Sequence, residues 1–364
     1  MIYANAAGTS WPKPPGVVDA VQRAMLADPS DNAARYRDGH EAVRQFFSVP
    51  DAAAERLLLA PSCTSALGVA LGDLQLERGD VVITSSLEHH ALARPVQKLV
   101  WERGVVHAQA PYAPGAPIDL DYVEATLRAG RVRLVAVTGA SNVTGERLPI
   151  EALAELAHAH GALLLLDAAQ VAGLVPLDVA ALGVDLLTFA GHKAMLGPFG
   201  VGGLWAAPHV PFACPAATCE VGTGPGAGPR APFPGFCDLG SVDLPALAGL
   251  TAAICWLGAQ TPDERERPLA LARRLLAGCR ERERCRVLGG DGPRTATVSF
   301  RLDHIALDDA QRHFRERGVM LRAGTHCAPM ALEALGEPKG CVRVSFGPHN
   351  RDEDVDAVLA AIDA

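Results

Sequence analysis

The chain has 364 residues, long enough for one large domain with a smaller companion and a substantial buried core. Its formal net charge of −8, with no block of like charges, argues against a nucleic-acid partner, and no apolar run approaches the ~20 residues of a membrane span. Nine cysteines, odd in number, scattered and without a CxxC pair, read as reduced thiols of a cytosolic protein rather than a disulfide framework or a metal site, and the N-terminus lacks the charged start and apolar segment of a signal peptide.

The opening, Tyr3-Ala4-Asn5-Ala6-Ala7-Gly8-Thr9-Ser10 followed by Pro12-Lys13-Pro14, reads as extended and turn-forming, because proline restricts itself and its predecessor. Apolar spacing predicts helices over 17–26 and 38–47. A short buried strand over 57–60 precedes the small-residue turn Pro61-Ser62-Cys63-Thr64-Ser65 and an apolar-periodic helix through residue 76. Strand, turn and helix start together form an anion site, although an ordinary N-cap at Thr64 or Ser65 uses the same residues. The strand over 81–84 ends in Glu88-His89-His90-Ala91, by itself a polar loop. A brief strand at 105–106 and a longer one over 132–138 follow, the latter ending in Gly139-Ala140-Ser141-Asn142-Val143-Thr144-Gly145. Residues 150–160 read as a crossover helix closed by Gly161.

Residues 163–166 are apolar at every position and end at Asp167, the signature of a strand buried on both faces. Residues 185–190 repeat the pattern and end in Gly191-His192-Lys193. Two such strands deliver a carboxylate and an amine to one edge of a sheet, where open α/β sheets bind ligands. Singly, the acid reads as a turn cap and the lysine as a snorkelling surface chain. Together they suit pyridoxal phosphate, which needs a lysine to hold its aldehyde and an acid to keep its pyridine nitrogen protonated. The Pro- and Gly-rich stretch 208–235 reads as a lid or interface arm. A helical region runs to about residue 283, and then a small α+β unit follows, with strands near 295–300, 319–322 and 341–346 and helices over 308–317 and 352–362.

Asp167-x-x-Gln170 followed by Gly191-His192-Lys193 resembles the class V aminotransferase branch of the pyridoxal phosphate enzymes, especially the cysteine desulfurases and selenocysteine lyases. The resemblance covers nearly the whole chain in the family's order. It implies that Lys193 carries the cofactor, Asp167 pairs with its ring nitrogen, and His89 of Glu88-His89-His90-Ala91 stacks on the ring and moves protons. The family's phosphate turn aligns with Ser62-Cys63-Thr64, so Cys63 and Thr64 are cofactor-binding candidates through their backbone above all. Asn142 and Gln170 would reach the phenolic oxygen, Asn142 or the substrate carboxylate, and His192 completes the cofactor set. Glu220-Val221-Gly222-Thr223-Gly224 matches the family's glycine-rich arm, and Gly240-Ser241 a turn whose hydroxyl, here Ser241, reaches a partner subunit's phosphate.

Two further motifs close the resemblance. Arg322-Ala323-Gly324-Thr325-His326-Cys327-Ala328 resembles the desulfurase signature and implies a reactive Cys327, with a neighbouring imidazole that can favour the thiolate. Val342-Arg343-Val344-Ser345 implies that Arg343 clamps the substrate carboxylate, a task suited to a planar fork of donors, while His349 stands where a Tyr or Thr is usual. Other positions also depart from the pattern: Ala4 replaces an Asp, Ser62 a Gly, Cys63 a Thr, and Ala190 a Ser or Thr that donates to the phosphate.

The implied fold is α/β, a fold type I pyridoxal phosphate enzyme: a mostly parallel, seven-stranded, doubly wound sheet with a smaller α+β C-terminal domain. The expected divisions are an N-terminal extended segment 1–14, a large cofactor domain 15–250 and a small domain 251–364. The implied activity converts L-cysteine to L-alanine with a persulfide on Cys327, in a cytoplasmic homodimer with room for a sulfur-acceptor protein as a further partner. Selenocysteine lyase, C–S lyase or another activity on the same scaffold is the alternative, and a non-enzymatic relative the more distant one.

Overall fold

The computed structural model describes residues 1–112, 115–211 and 241–364. In chain order the strands are β1 (Ile2–Tyr3), β2 (Leu57–Ala60), β3 (Val81–Ser85), β4 (Val106–Ala110), β5 (Val132–Thr138), β6 (Leu163–Asp167), β7 (Leu186–Ala190), β8 (Gly202–Ala206), β9 (Cys285–Leu288), β10 (Thr297–Leu302), β11 (Val319–Met320), β12 (Arg322–Gly324) and β13 (Cys341–Ser345). The helices are α1 (Val17–Leu26), α2 (Asn32–Phe46), α3 (Cys63–Asp73), α4 (His90–Arg103), α5 (Leu120–Ala129), α6 (Ile150–Ala159), α7 (Leu244–Gly258), α8 (Pro262–Arg280), α9 (Leu307–Glu316), α10 (Pro329–Ala334) and α11 (Asp352–Asp363).

Seven strands form one sheet in the order β2-β8-β7-β6-β5-β3-β4. All neighbours pair in parallel except β8, which runs antiparallel to β2 and β7. The expected mostly parallel seven-stranded sheet is thus what the chain builds. Its centre is apolar because β6 and β7 carry Leu164, Leu165, Leu166, Leu186, Leu187 and Phe189, each 0% exposed, with helices above and below. Pairing aligns Thr138 with Asp167 and Asp167 with Thr188, so β5 and β6 finish level at the carboxyl edge and β7 runs on to Ala190. Beside them β3 and β5 are neighbours while β4 lies outside, which is where a doubly wound sheet opens a crevice.

A second, four-stranded antiparallel sheet, β12-β13-β10-β9, is covered by α8, α9 and α11. Its core holds Phe300, Phe314, Val344 and Val355, and also Ala4 from the far end of the chain. The extended N-terminus reaches it through β1, which pairs in parallel with β11. Ala4 N–H donates to the Met320 carbonyl, and the Ala4 carbonyl accepts from Ser345 N–H. Around the expected division at residue 250, α7 is continuous and packs on α1 and α2. Ala328, Ala331, Leu332 and Cys341 of the C-terminal region pack into the large cluster.

Several boundaries move for local reasons. Helix α3 starts at Cys63 rather than after Thr64, because Ser62 is the N-cap and exchanges a capping box with Ser65. The strand expected over 319–322 is two short strands that pair in different sheets, β11 with β1 and β12 with β13. Helix α5, capped by Asp119 and carrying the apolar stripe Leu120, Val123 and Leu127, is legible in its spacing but absent from the expected elements, and the four-residue strand β9 is too short to show a period. Among the described residues no single helix is long and apolar enough to cross a membrane.

Candidate active site

At the carboxyl edge of the large sheet one crevice is lined by Cys63, Thr64, His89, Asn142, Asp167, Gln170, His192, Lys193 and Arg343, so nine of the residues singled out in the sequence come together. Two do not lie in it. Cys327 faces an adjoining groove between α3 and α4, which shares Thr64 and His89 with the crevice. Ser241 is exposed beside the start of α7, near Gly200 and Asp243, where Asp243 rather than Ser241 caps the helix. The Glu220–Gly224 arm and Gly240 lie outside the described residues.

Asp167, 3% exposed at the end of β6, accepts from Ala169 N–H at 2.9 Å and from the Cys63 thiol at 3.3 Å. The Cys63 side chain therefore turns to the acid, and Thr188 Oγ1 lies 3.5 Å from its sulfur. Burial and the adjacent Asp167 carboxylate push the Cys63 thiol well above its ordinary range, which keeps it a proton donor. The backbone N–H groups of Cys63 and Thr64 remain at the first turn of α3, without intrahelical acceptors, as an anion cradle. Gly202 on β8 permits this approach: a Cβ there would fall 2.6 Å from the Phe189 carbonyl and 2.9 Å from Cys63 N. Ala190 lines the same corner and offers no hydroxyl.

Lys193 follows β7 in a turn in which Leu196 N–H bonds back to its carbonyl. Loss of hydration pulls its amine below the ordinary lysine range, while Asp167 opposes the shift. His89 caps α4, its Nδ1 accepting from Ala91 N–H at 3.0 Å, which places the proton of the neutral ring on Nε2. Burial, with Lys193 next, holds His89 at about 4. Behind it Glu88 is buried between Ser85 and Thr138 N–H, and burial raises it to about 8. His192 stacks on Phe199 at 4.3 Å with Nδ1 against Thr9 Oγ1 at 3.1 Å, and burial lowers it to about 4. Gln170 donates to the Ala7 carbonyl at 3.2 Å.

Arg343 is 2% exposed on β13 and has no ion-pair partner among the described residues. Nη1 donates to the Asn142 carbonyl at 2.9 Å and Nη2 to Asn5 Oδ1 at 3.0 Å, while Nε lacks a partner. Burial, with repulsion from Arg322 next, lowers its pKa to about 10, so it stays charged at neutral pH. Asn142 donates to the His326 carbonyl at 2.8 Å and leaves its own Oδ1 buried and unpaired. A buried cation without an anion and two orphaned polar atoms call for a polar ligand.

The Cys327 turn departs from expectation in one respect. His326 and Cys327 both adopt left-handed backbone, φ 51° and 56°, and His90 N–H donates to the Cys327 carbonyl at 2.8 Å. His326 is buried with Nε2 on the Cys341 carbonyl at 2.9 Å, and burial holds it at about 3. It is neutral and turned inward, so it offers Cys327 no positive charge. The cation beside the sulfur is Arg322, whose Nη2 lies 4.0 Å away. Arg322, Asn5, Thr188 and Glu88 belong to the site without a role implied by the sequence, although Arg322, Asn5 and Glu88 stand within its motifs; the pairing of Arg322 with Arg343 across β12 and β13 places the first of them.

An acid and a lysine on adjacent strands, a helix N-terminus in one corner and unpaired Asn142 and Arg343 atoms in another fit pyridoxal phosphate bearing an amino-acid substrate. Fold and crevice together define a fold type I pyridoxal phosphate enzyme. The family described as aminotransferase class V matches residues 2–358, and the chain belongs to that family. It is 33% identical to a probable cysteine desulfurase of Pseudomonas aeruginosa, over all of this chain and 93% of that one. It is also 33% identical to a cysteine desulfurase of Klebsiella pneumoniae, over 80% of this chain and 72% of the relative. Among solved structures it resembles the apo cysteine desulfurase of Thermococcus onnurineus, with a TM-score of 0.87, 25% identity and coverage of 100% and 94% of the two chains. The Escherichia coli cysteine desulfurase CsdA gives a TM-score of 0.86, 26% identity and coverage of 99% and 93%.

Proposed function

We propose that this chain is a pyridoxal-phosphate-dependent cysteine desulfurase that converts L-cysteine to L-alanine and leaves a persulfide on Cys327. The observation that carries the reading is the Cys327 thiol, held in a left-handed turn beside Arg322, at a groove that adjoins the Lys193 crevice and shares Thr64 and His89 with it. When bound, the cofactor supplies an electron sink conjugated to the substrate Cα. Asp167 would keep the ring nitrogen protonated, and the Cys63 thiol, donating to Asp167, adds a hydrogen bond that steadies that carboxylate. His89 presents a neutral face and an Nε2–H. The first turn of α3 would hold the phosphate. Arg343 takes the substrate carboxylate with its unspent donors. Lys193 would hold the cofactor until the substrate amine takes its place, and its released amine, made less basic by burial, would take the proton from Cα.

Cys327, as thiolate with Arg322 as its counter-charge, attacks the substrate sulfur. The sulfur–sulfur bond forms as the Cβ–S bond breaks, the bonding pair stays on the substrate carbon and takes up a proton there, and return of the proton held by Lys193 to Cα completes alanine. The assembly we propose is a cytoplasmic homodimer in which Ser241 serves the partner subunit's phosphate corner, with a sulfur-acceptor protein drawing from Cys327. Incubation of the purified holoenzyme with L-cysteine and a thiol tests the activity: alanine and sulfide in equal amounts support it. Pyruvate and ammonia in place of alanine would instead establish a C–S lyase, the activity of the cystine C–S lyase whose fold this chain shares with a TM-score of 0.80.

A further inference from the structure

The opening segment does more than complete the small sheet. Ile2 and Tyr3 pair with β11, residues 4–7 bond to Met320 and Ser345 beside the four-stranded sheet, and Asn5 Oδ1 accepts from the Arg343 guanidinium. The next six residues cross to the large domain and converge on a single atom, the carbonyl oxygen of His192. Ser10 N–H donates to it at 3.0 Å, Ser10 Oγ and Thr9 Oγ1 each at 3.1 Å, and Lys13 Nζ at 3.1 Å. Lys13 Nζ also donates to Ser10 Oγ at 2.7 Å. A carbonyl has two lone pairs, so the four donors share one oxygen in three-centre contacts, and together they surround it and restrain the peptide plane from several directions. That oxygen belongs to the His192–Lys193 peptide bond.

Lys13 makes no ion pair among the described residues, and its charge is directed at two neutral oxygens. Burial lowers its pKa to about 8, so it is still mainly an ammonium at neutral pH. A half-buried charge without a counter-ion loses part of its hydration and is costly to keep. Here it gives charge-assisted hydrogen bonds to the backbone that carries the reactive lysine. Pro12 and Pro14 flank it and restrict the chain's freedom to swing the ammonium away. Asn5, which steadies Arg343, and Lys13, which steadies the Lys193 backbone, are therefore only eight positions apart.

We infer that Lys13 is a positioning residue: it pins the His192–Lys193 peptide, and through the segment shared with Asn5 it fixes the spacing between the Lys193 amine and the Arg343 fork. The kinetic part of this inference rests on the desulfurase reading above. Misplacement of a reacting group by ~1 Å costs about 10²-fold in rate. Loss of one of four tethers should cost less. For Lys13→Met we expect kcat on L-cysteine to fall about tenfold, or about 1.4 kcal/mol, with KM within about twofold. Lys13→Arg, which keeps the charge and donors, should recover most of the loss.

Hydrogen exchange of the cofactor-free protein supplies a readout that needs no activity. Lys13→Met should speed exchange in peptides covering 190–196 and leave those covering 163–166 unchanged. A uniform rise across the chain would mean general loosening and would overturn the inference, as would unchanged exchange at 190–196 or an unchanged kcat. If the wild-type enzyme produced no alanine and sulfide from cysteine, the desulfurase reading would fall, while the exchange comparison would still decide the role of Lys13.

Discussion

Replacing Arg343 by lysine keeps a buried positive charge and removes the planar fork. Arginine carries five N–H donors, of which the structure commits one to the Asn142 carbonyl and one to Asn5 Oδ1. Three remain for a substrate carboxylate, enough for two parallel hydrogen bonds. Lysine offers three donors on one nitrogen and a shorter reach, so at least one charge-assisted bond to the substrate is lost. Such a bond is worth ~1.5–3 kcal/mol, which corresponds to a rise of about 10- to 150-fold in KM for L-cysteine. Because the carboxylate does not react, the interaction is shared by ground and transition states, and kcat should change by less than about tenfold. Steady-state sulfide release, with titration of the cofactor absorbance by L-cysteine, reads both quantities. Cysteamine, which has no carboxylate, supplies the control, since its weak binding should be indifferent to the substitution. A folded, cofactor-loaded Arg343→Lys enzyme with wild-type KM for cysteine would refute the clamp.

Three other perturbations follow from the same geometry. Ala190→Ser restores a hydroxyl to the phosphate corner and should tighten cofactor binding by at least about tenfold, equivalent to one charge-assisted hydrogen bond; equal dissociation constants by fluorescence would count against that corner. Gly202→Ala places a Cβ 2.6 Å from the Phe189 carbonyl and 2.9 Å from Cys63 N, so it should lower stability by ~1–3 kcal/mol and weaken cofactor binding as α3 is displaced, and denaturant midpoints with cofactor titration check both. His89 and His192 are held at about 4 and His326 at about 3, against an ordinary value of 6.5. The unfolded chain therefore takes up more protons as pH falls through 6.5 toward 4, and stability drops in that window. Glu88, raised to about 8, acts in the opposite sense with one proton against three. A lower urea midpoint at the acid end of that window than at neutral pH is the expected result, and equal midpoints would contradict it.

The central strands and the acid–lysine pair were legible because they are local. Unbroken apolar runs over β6 and β7 admit little besides buried strands, and the residue after such a strand must lie at the sheet edge. What the sequence withheld depends on contacts between distant parts of the chain. Asn5 and Arg343 are separated by 338 positions, and no periodicity relates them. The orientation of Cys63 toward Asp167 depends on how α3 seats against β7 and β8, which the missing Cβ of Gly202 on β8 permits. His326 read as an activator of Cys327 because the two are adjacent, yet their shared left-handed turn sends the imidazole to the Cys341 carbonyl and leaves the sulfur to Arg322. Short elements such as β9 had too few residues for any period to register.

The central claim is that sulfur leaves the substrate for a thiol of this chain. Mass analysis of proteolytic peptides from the wild-type holoenzyme, treated with L-cysteine in the absence of reductant, addresses it without reference to any acceptor. The account predicts one added sulfur atom on the peptide containing Cys327, reversed by dithiothreitol and accompanied by alanine, and none on that peptide in Cys327→Ala. Turnover of cysteine with Cys327 unmodified, or an alanine variant that releases sulfide at the wild-type rate, would contradict it.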